Sequence, residues 1–289
     1  MGSDFPSWRE VRDNWEDFVD SRRDLLVRML RRGIPSKYRG DIWYRLSGAE
    51  HYRNTVGIEY RGASNPSAKY STTIENDIVR TFPNVITRND EVYLSGLRRI
   101  LTVYSVVDSE VGYTQGMSYI AGMLLLYMEE EDAFWSFYGV MNRGEYPHRD
   151  FFKPSFPLLH QIAPIVGREI DRRFPKVAEY LNRIGIQPII FLPMWFMSIF
   201  MATPLDLPTV VSIFDQYMAY GLAPLFSFGF AMIDIHLDLC GEGEGEYFLS
   251  VLTSPGRSER TSDRNRVNRH WIDNWVTTRE LEVILKGGF

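Results

Sequence analysis

The sequence predicts an all-α fold, and two observations carry that prediction. Apolar residues recur at helical spacing through most of the chain, and residues that start or end helices bound those segments. The sequence has no run of alternating apolar and polar residues of the kind that indicates strands. With 289 residues, of which 45% are hydrophobic and 24% charged, the composition is typical of a soluble globular protein with one large domain or two lobes.

The first part of the chain predicts helices separated by a glycine–proline break. Residues 8–31 carry apolar side chains at helical spacing. The Gly-Ile-Pro sequence of residues 33–35 interrupts them, and Pro35 suits the first position of the following helix. Residues 47–71 are polar and rich in turn formers, which predicts a long connection with at most short helices.

A short helix is predicted around residues 74–81. Thr72 and Glu75 have the Thr-x-x-Glu spacing of a capping box, in which each side chain binds an unpaired backbone N–H. Pro83 ends the helix, because its ring disfavours helical geometry in the preceding residue.

One face of this helix carries Ile74, Asp77 and Arg80, which are spaced i, i+3 and i+6. Ile74 can anchor the face to a core, and Asp77 can hold the guanidinium of Arg80 in a fixed direction. Taken alone, Asp77 and Arg80 are also an ordinary surface pair.

A turn predicted over residues 108–116 carries Tyr113 and Gln115. Gly112 and Gly116 bracket these side chains, and glycine permits the backbone angles of a tight bend. The turn can therefore project a side chain outward, although four such residues alone are also an ordinary turn.

The other helices follow from the same signals. Asp90 and Asp206 are predicted N-caps, and Gly221 ends the helix that Asp206 begins. Asp132 is predicted to cap a further helix, and the two prolines of residues 145–155 predict a boundary between lobes. Loops are predicted over residues 84–90 and 242–246.

Two stretches without a formal charge, residues 184–205 and 216–233, have the length of a membrane hairpin. Pro188, Pro193 and Pro204 interrupt the first stretch. Buried helices of a large α-helical protein explain both stretches better, and the hairpin is the alternative.

Charge and composition exclude several classes. A net charge of −5 gives no general attraction to nucleic acid. The single cysteine, Cys240, excludes an internal disulfide and suits a reducing compartment, and we expect it to be a small buried side chain. The five histidines lack the spacing of metal ligands, so no metal site is expected. No apolar run follows Met1, so no signal peptide is expected.

Three motifs, in this order, resemble the TBC domain family, whose members activate Rab GTPases. The first resembles the family's opening R-x-G-I-P-x-x-x-R-G-x-x-W from its first glycine onward, and the others match I-x-x-D-x-x-R and Y-x-Q-G. The matching residues are Gly33, Ile34, Pro35, Arg39, Trp43, Ile74, Asp77, Arg80, Tyr113, Gln115 and Gly116. Where a typical member has Ile-Trp-Asp, this chain has Ile-Phe-Asp at residues 213–215, which retains an aromatic side chain.

The resemblance implies a two-lobed, V-shaped helical TBC domain over residues 30–286. Its N-lobe would cover about residues 30–146 and its C-lobe about residues 147–286, after a helical lead-in over residues 1–29. Arg39 and Trp43 are interpreted as structural, with Trp43 in the core.

The resemblance also implies the activity of a GTPase-activating protein. Arg80 would be the arginine finger, and Gln115 the glutamine finger that replaces the glutamine of the GTPase. Ile74, Asp77, Tyr113 and Gly116 would position them. The protein would not be a self-contained enzyme but would complete the active site of a GTP-bound Rab GTPase in trans and so regulate vesicle trafficking.

Further expectations concern partners and location. The sequence has no Walker-type phosphate loop, so GTP and Mg²⁺ would belong to the partner GTPase. We expect a cytoplasmic protein that binds no nucleic acid and reaches endomembranes only peripherally, through its partner. Arginine-rich residues 22–32 and 257–269 are interleaved with acidic residues and are interpreted as solvated helix faces.

The alternative function is a non-catalytic TBC-like module that binds a GTPase or another protein as a scaffold. Loss of either finger is the natural sign of such a module. Arg80 and Gln115 are both present, which favours the activating function.

Overall fold

The structure, a computed structural model, describes residues 5–60, 68–83, 90–240 and 245–285. Throughout these ranges every regular element is a helix, and the predicted all-α fold is confirmed. The loops predicted over residues 84–90 and 242–246 lie largely outside the described residues.

The α-helices of the described residues are α1 (Trp8–Asp13), α2 (Trp15–Asp20), α3 (Arg23–Arg31), α4 (Ser36–Ser47), α5 (Ala49–Thr55), α6 (Ser71–Ile78), α7 (Glu91–Val107), α8 (Met117–Leu125), α9 (Glu130–Asn142), α10 (Pro157–Arg173), α11 (Pro175–Arg183), α12 (Leu207–Tyr220), α13 (Ala223–Ile235), α14 (Gly245–Thr253), α15 (Arg264–Asp273) and α16 (Thr278–Leu285). Short 3₁₀ turns cover Ala68–Tyr70, His148–Phe151, Pro188–Ile190, Leu237–Leu239, Pro255–Arg257 and Glu259–Thr261, and a π-helical turn covers Pro193–Met197.

The chain divides into two compact units, Met1–Arg149 and Asp150–Phe289. The lobe limits given above stay predictions. In unit 1, α7 packs against α6, α8 and α9, while α4 and α5 pack against α9 and α1 packs against α4. The apolar face of α7 is buried, and Trp43 and Trp135 are almost fully enclosed. Burial of each large apolar side chain stabilises the unit by about 1.5–3 kcal/mol.

Unit 2 is built around α13, which packs against α12, α14 and α15. Nearly every residue of α13 is buried, so the charge-free stretch 216–233 lies in the core of this unit. Phe214, the aromatic residue in place of the family's tryptophan, is fully buried in α12. Within the described ranges, no helix combines the length and apolar character needed to span a bilayer.

Two predicted caps are confirmed by direct hydrogen bonds. Asp90 accepts from the backbone N–H of Tyr93 at 3.1 Å, and Asp206 accepts from that of Thr209 at 2.9 Å. Each bond satisfies one of the backbone donors that the first turn of a helix leaves unpaired. Gly221 follows the last residue of α12, as predicted.

Other local predictions were wrong. Helix α9 begins at Glu130 after Glu129, so Asp132 lies inside its first turn, where the helix dipole favours three consecutive acidic residues. Pro35 stands at the N-cap of α4 and not at its first helical position. Cys240 is half-buried, and burial raises the pKa of its thiol to about 11.

A histidine is fully enclosed in unit 2. His236 has no exposed surface, and its Nδ1 lies 2.8 Å from the carbonyl of Met232. Because that carbonyl can only accept, Nδ1 donates, and in the neutral ring Nε2 accepts from Ser258 Oγ at 2.7 Å. Burial, together with the nearby Arg260 and Arg266, lowers the pKa of His236 below its ordinary value.

This histidine makes the stability of the fold depend on pH. The folded pKa lies below the ordinary value of 6.5, so below that pH the unfolded chain binds more protons than the folded chain. We expect the free energy of unfolding to fall as the pH is lowered from 7.5 to 5.5, and to fall less in His236→Gln. Urea unfolding at both pH values measures this difference. His160→Gln, which removes an exposed histidine of α10, is the matched control. An unaltered pH dependence in His236→Gln would contradict the assignment.

Candidate functional site

Helix α6, which leads to Arg80, begins at Ser71, and the predicted capping box is not formed. Thr72 is already helical, and the residue before the helix makes no side-chain cap. Glu75 instead forms a two-pronged ion pair with Arg98 of α7, through Nε and Nη2 of the guanidinium. The side chain that would have closed the box therefore ties α6 to the neighbouring helix.

Helix α6 ends at Ile78, so Arg80 lies on the turn that follows and not on the helix. The hydroxyl of Thr81 donates to the backbone carbonyl of Asp77 at 2.8 Å, which is the carbonyl that a continued helix would use. Phe82 then takes a left-handed φ of 51°. This turn projects Arg80 into solvent, where 48% of its side chain is exposed.

Asp77 joins two of the motifs. Only 3% of its side chain is exposed, and Oδ1 accepts from Nη2 of Arg80. Oδ2 accepts from the hydroxyl of Tyr113 at 2.6 Å. Burial, and then the hydrogen bond to this carboxylate, raise the pKa of Tyr113, so its hydroxyl stays protonated as a donor. Ile74, 2% exposed, anchors the same helix to the core.

The turn that carries Gln115 is held closely against the segment before α6. Gly112 has a left-handed φ of 65°, which favours glycine, and a Cβ added there would lie 2.2 Å from the hydroxyl oxygen of Tyr70 and displace it. Gly116, with a φ of 107°, is the N-cap of α8. Between these glycines Tyr113 is buried and Gln115 is exposed.

The opening motif lies around the start of α4. Gly33 has a φ of 90°, and Ile34 is buried. Arg39 donates to the carbonyl of Ile34, and its guanidinium carbon lies 5.8 Å from the ring centre of the fully buried Trp43. The same guanidinium carbon lies 5.1 Å from the ring centre of Tyr127, so Arg39 links the start of α4 to the residues that follow α8.

This opening motif is separated from the motifs of Arg80 and Gln115 by the length of α8. The ring of Trp43 packs edge-on against that of Tyr127, 5.0 Å away, just beyond the C-terminal end of α8. Gln115 precedes the N-terminal end of the same nine-residue helix, which is about 13 Å long. The structure thus brings the second and third motifs together and leaves the first one apart.

Sequence reasoning missed a partly buried ion pair beside the turn. Asp108, at the end of α7, binds the guanidinium of Arg149 through both oxygens, each at 2.7 Å. The two residues are far apart in sequence and share no helix or motif, so no spacing signal links them.

Comparisons with known proteins show the family of this chain. The sequence profile of the Rab-GTPase-TBC domain family matches residues 36–239. The human protein named ecotropic viral integration site 5 protein homolog is 29% identical over 251 residues, which are 85% of this chain and 30% of that protein. The Caenorhabditis elegans Rab GTPase-activating protein eat-17 is 30% identical over 249 residues, 83% of this chain and 27% of that protein. This chain therefore spans less than a third of the length of these two curated relatives.

Solved structures show the same fold. The Chlamydomonas flagellar RabGAP TBC domain superposes with a TM-score of 0.71 at 22% identity, covering 93% of this chain and 96% of that one. The Ypt/Rab-GAP domain of Gyp1p gives a TM-score of 0.66 at 16% identity, covering 93% of this chain and 99% of that one. By its sequence profile and its fold, this chain belongs to the Rab-GTPase-TBC domain family.

Proposed function

We propose that this chain is a GTPase-activating domain for a Rab-family small GTPase and regulates vesicle trafficking by accelerating GTP hydrolysis. One observation carries the proposal: in a member of this family, an exposed arginine and the turn of an exposed glutamine are held by one buried carboxylate. Asp77 binds Arg80 directly, and it binds Tyr113 in the turn of Gln115. The chain would complete the active site of the GTPase in trans.

Arg80 supplies positive charge to the reaction. Negative charge on the phosphate oxygens is stabilised during GTP hydrolysis by fixed cations. A guanidinium has five N–H donors in a plane, which matches the geometry of phosphate oxygens. Asp77 occupies one Nη2 donor and orients the plane, and the exposed part of the side chain can reach a partner.

Gln115 positions the attacking water. A carboxamide offers an acceptor oxygen for a water proton and an N–H₂ group that donates to a neighbouring oxygen. Gln115 is exposed although Tyr113 and Gly116 of the same turn are buried, which supports a group presented to a second molecule. Gln115 would then take the place of the catalytic glutamine of the GTPase.

The GTP and Mg²⁺ of the reaction come with the partner in this proposal. The chain contributes donors, acceptors and a protein surface, so it is an activator and not a self-contained enzyme. Peripheral contact with an endomembrane would follow from the location of the GTPase.

A panel of purified Rab GTPases tests the proposal. Each is loaded with GTP, and phosphate release is measured in a single turnover with increasing amounts of this chain. We expect at least one member to be accelerated by about 10³- to 10⁵-fold, the range of an arginine finger. Binding to each GTPase loaded with a non-hydrolysable GTP analogue is measured in parallel. If the chain binds one or more of the GTPases but accelerates hydrolysis in none of them, the proposal is contradicted and a non-catalytic scaffold is favoured.

A further inference from the structure

Asp108 accepts several hydrogen bonds at the junction between α7 and the turn of Gln115. Its carboxylate is 8% exposed and accepts from the hydroxyl of Tyr104 at 2.8 Å and from the backbone N–H of Val111. Its backbone carbonyl accepts from the N–H groups of Val111 at 3.2 Å and Gly112 at 2.7 Å. The first half of the turn is therefore folded around this one residue.

Arg149 completes this cluster from a distant part of unit 1. It lies in the 3₁₀ turn His148–Phe151 and donates to both oxygens of Asp108 through Nε and Nη2. Nη2 also donates to Glu110 at 2.8 Å, so one guanidinium bridges two carboxylates of the same turn. Burial alone would raise the pKa of Asp108, but the hydrogen bonds from Arg149 and Tyr104 outweigh it and hold that pKa below its usual range.

The backbone held by Asp108 leads directly to Gln115. Gly112, whose N–H is bound by Asp108, packs against Tyr70, and the next residue is Tyr113, which is bound to Asp77. Gln115 thus follows a backbone that is fixed on one side by Arg149 and Asp108 and on the other by Asp77. Arg80 itself is held by Asp77.

We propose that Asp108 and Arg149 are positioning residues for Gln115: their partly buried, two-pronged ion pair sets the backbone of the turn that presents the carboxamide. This inference rests on the proposed function, in which Gln115 aligns the attacking water. A displacement of about 1 Å at a reacting group can cost about 100-fold in rate. A loosened turn therefore reduces the rate of hydrolysis more than it reduces binding.

A double-mutant cycle with Gln115 tests the inference. Arg149→Gln keeps a polar side chain but removes the charged fork that binds Asp108. With a Rab GTPase that wild type activates, we expect kcat to fall by about 10- to 100-fold while KM changes by less than about twofold. In a Gln115→Ala background the same substitution should lower kcat by less than about twofold, because the group that it positions is already missing.

Controls separate this role from a general loss of stability. Arg53→Gln breaks a surface ion pair with Glu131 in the same unit and should leave kcat unchanged. If Arg149→Gln does not fold, Arg149→Lys is tested in its place, because lysine keeps the charge but lacks the planar fork of donors. We expect Arg149→Lys to lower kcat by the same factor, and to have no such effect in the Gln115→Ala background. An unchanged kcat in a folded Arg149 variant, or an equal fall with and without Gln115, would overturn the inference.

A second measurement needs no GTPase. Hydrogen–deuterium exchange is followed in the peptide covering residues 109–116 and in α8 as an internal reference. We expect Arg149→Lys to raise exchange at least tenfold in the turn and to leave that of α8 within about twofold. Unchanged exchange in the turn would overturn the inference even if the chain activates a GTPase. Raised exchange in a chain that activates no GTPase would instead show that the turn is held as inferred and that the proposed function is wrong.

Discussion

Arg80→Ala is expected to reduce the stimulated rate of GTP hydrolysis by about 10³- to 10⁵-fold, the full contribution of an arginine finger. Arg80→Lys should fail almost as badly, because an ammonium group keeps the charge but lacks the planar fork of donors. Affinity for the GTP-loaded GTPase should fall much less than the rate, since the contact strengthens in the transition state. Single-turnover phosphate release and equilibrium binding measure the two effects separately.

The same substitution should also reduce stability, for a reason that only the structure gives. Asp77 is buried, so Arg80→Ala leaves one oxygen of its carboxylate without this partner, at a cost of about 1–3 kcal/mol. Arg80→Lys retains a cation near Asp77 and should cost less. Arg98→Ala is the matched control, because it removes an exposed arginine that also pairs with α6, through Glu75.

Wild-type rates of GTP hydrolysis in a folded Arg80→Ala protein would refute the catalytic assignment of Arg80.

Gln115→Ala should lower the stimulated rate of hydrolysis by about 100-fold or more, because it removes the carboxamide that orients the attacking water. Its stability should change by less than about 0.5 kcal/mol, since the side chain is exposed and the turn is held by other residues. Phosphate release and melting temperature are measured together, with Gln161→Ala as a control that removes an exposed glutamine of α10. If Gln115→Ala kept the wild-type rate, the partner's own glutamine would have to position the water.

The sequence was most informative where the signal is local. Helical spacing and the caps at Asp90 and Asp206 depend on residues within a turn of each other, and the structure confirms them. The capping box at Thr72 was wrong because Glu75 has a stronger partner, Arg98, on another helix. A charged group on a neighbouring element can outcompete a local backbone bond, and a single sequence does not reveal which elements are neighbours.

In the candidate site, too, the local features could be predicted from the sequence and the tertiary contacts could not. The spacing of Asp77 and Arg80 predicted their pairing, which is present. The spacing gave no sign that Asp77 is buried or that its second oxygen binds Tyr113, which lies on another element. The bond between Asp108 and Arg149 was equally invisible, because both its existence and its strength depend on tertiary packing. The roles of Arg80 and Gln115 stay predictions until rates are measured.

The buried position of Asp77 has a consequence for the thermodynamics of association. A free arginine side chain carries about 2 kcal/mol of rotamer entropy, part of which is lost when a partner immobilises it. In this chain the carboxylate that restrains Arg80 is itself locked by burial and by Tyr113 before any GTPase arrives. Arg80 therefore loses much of its side-chain entropy when the chain folds. Less of that entropy remains to be lost on binding, so it opposes association with a GTPase less.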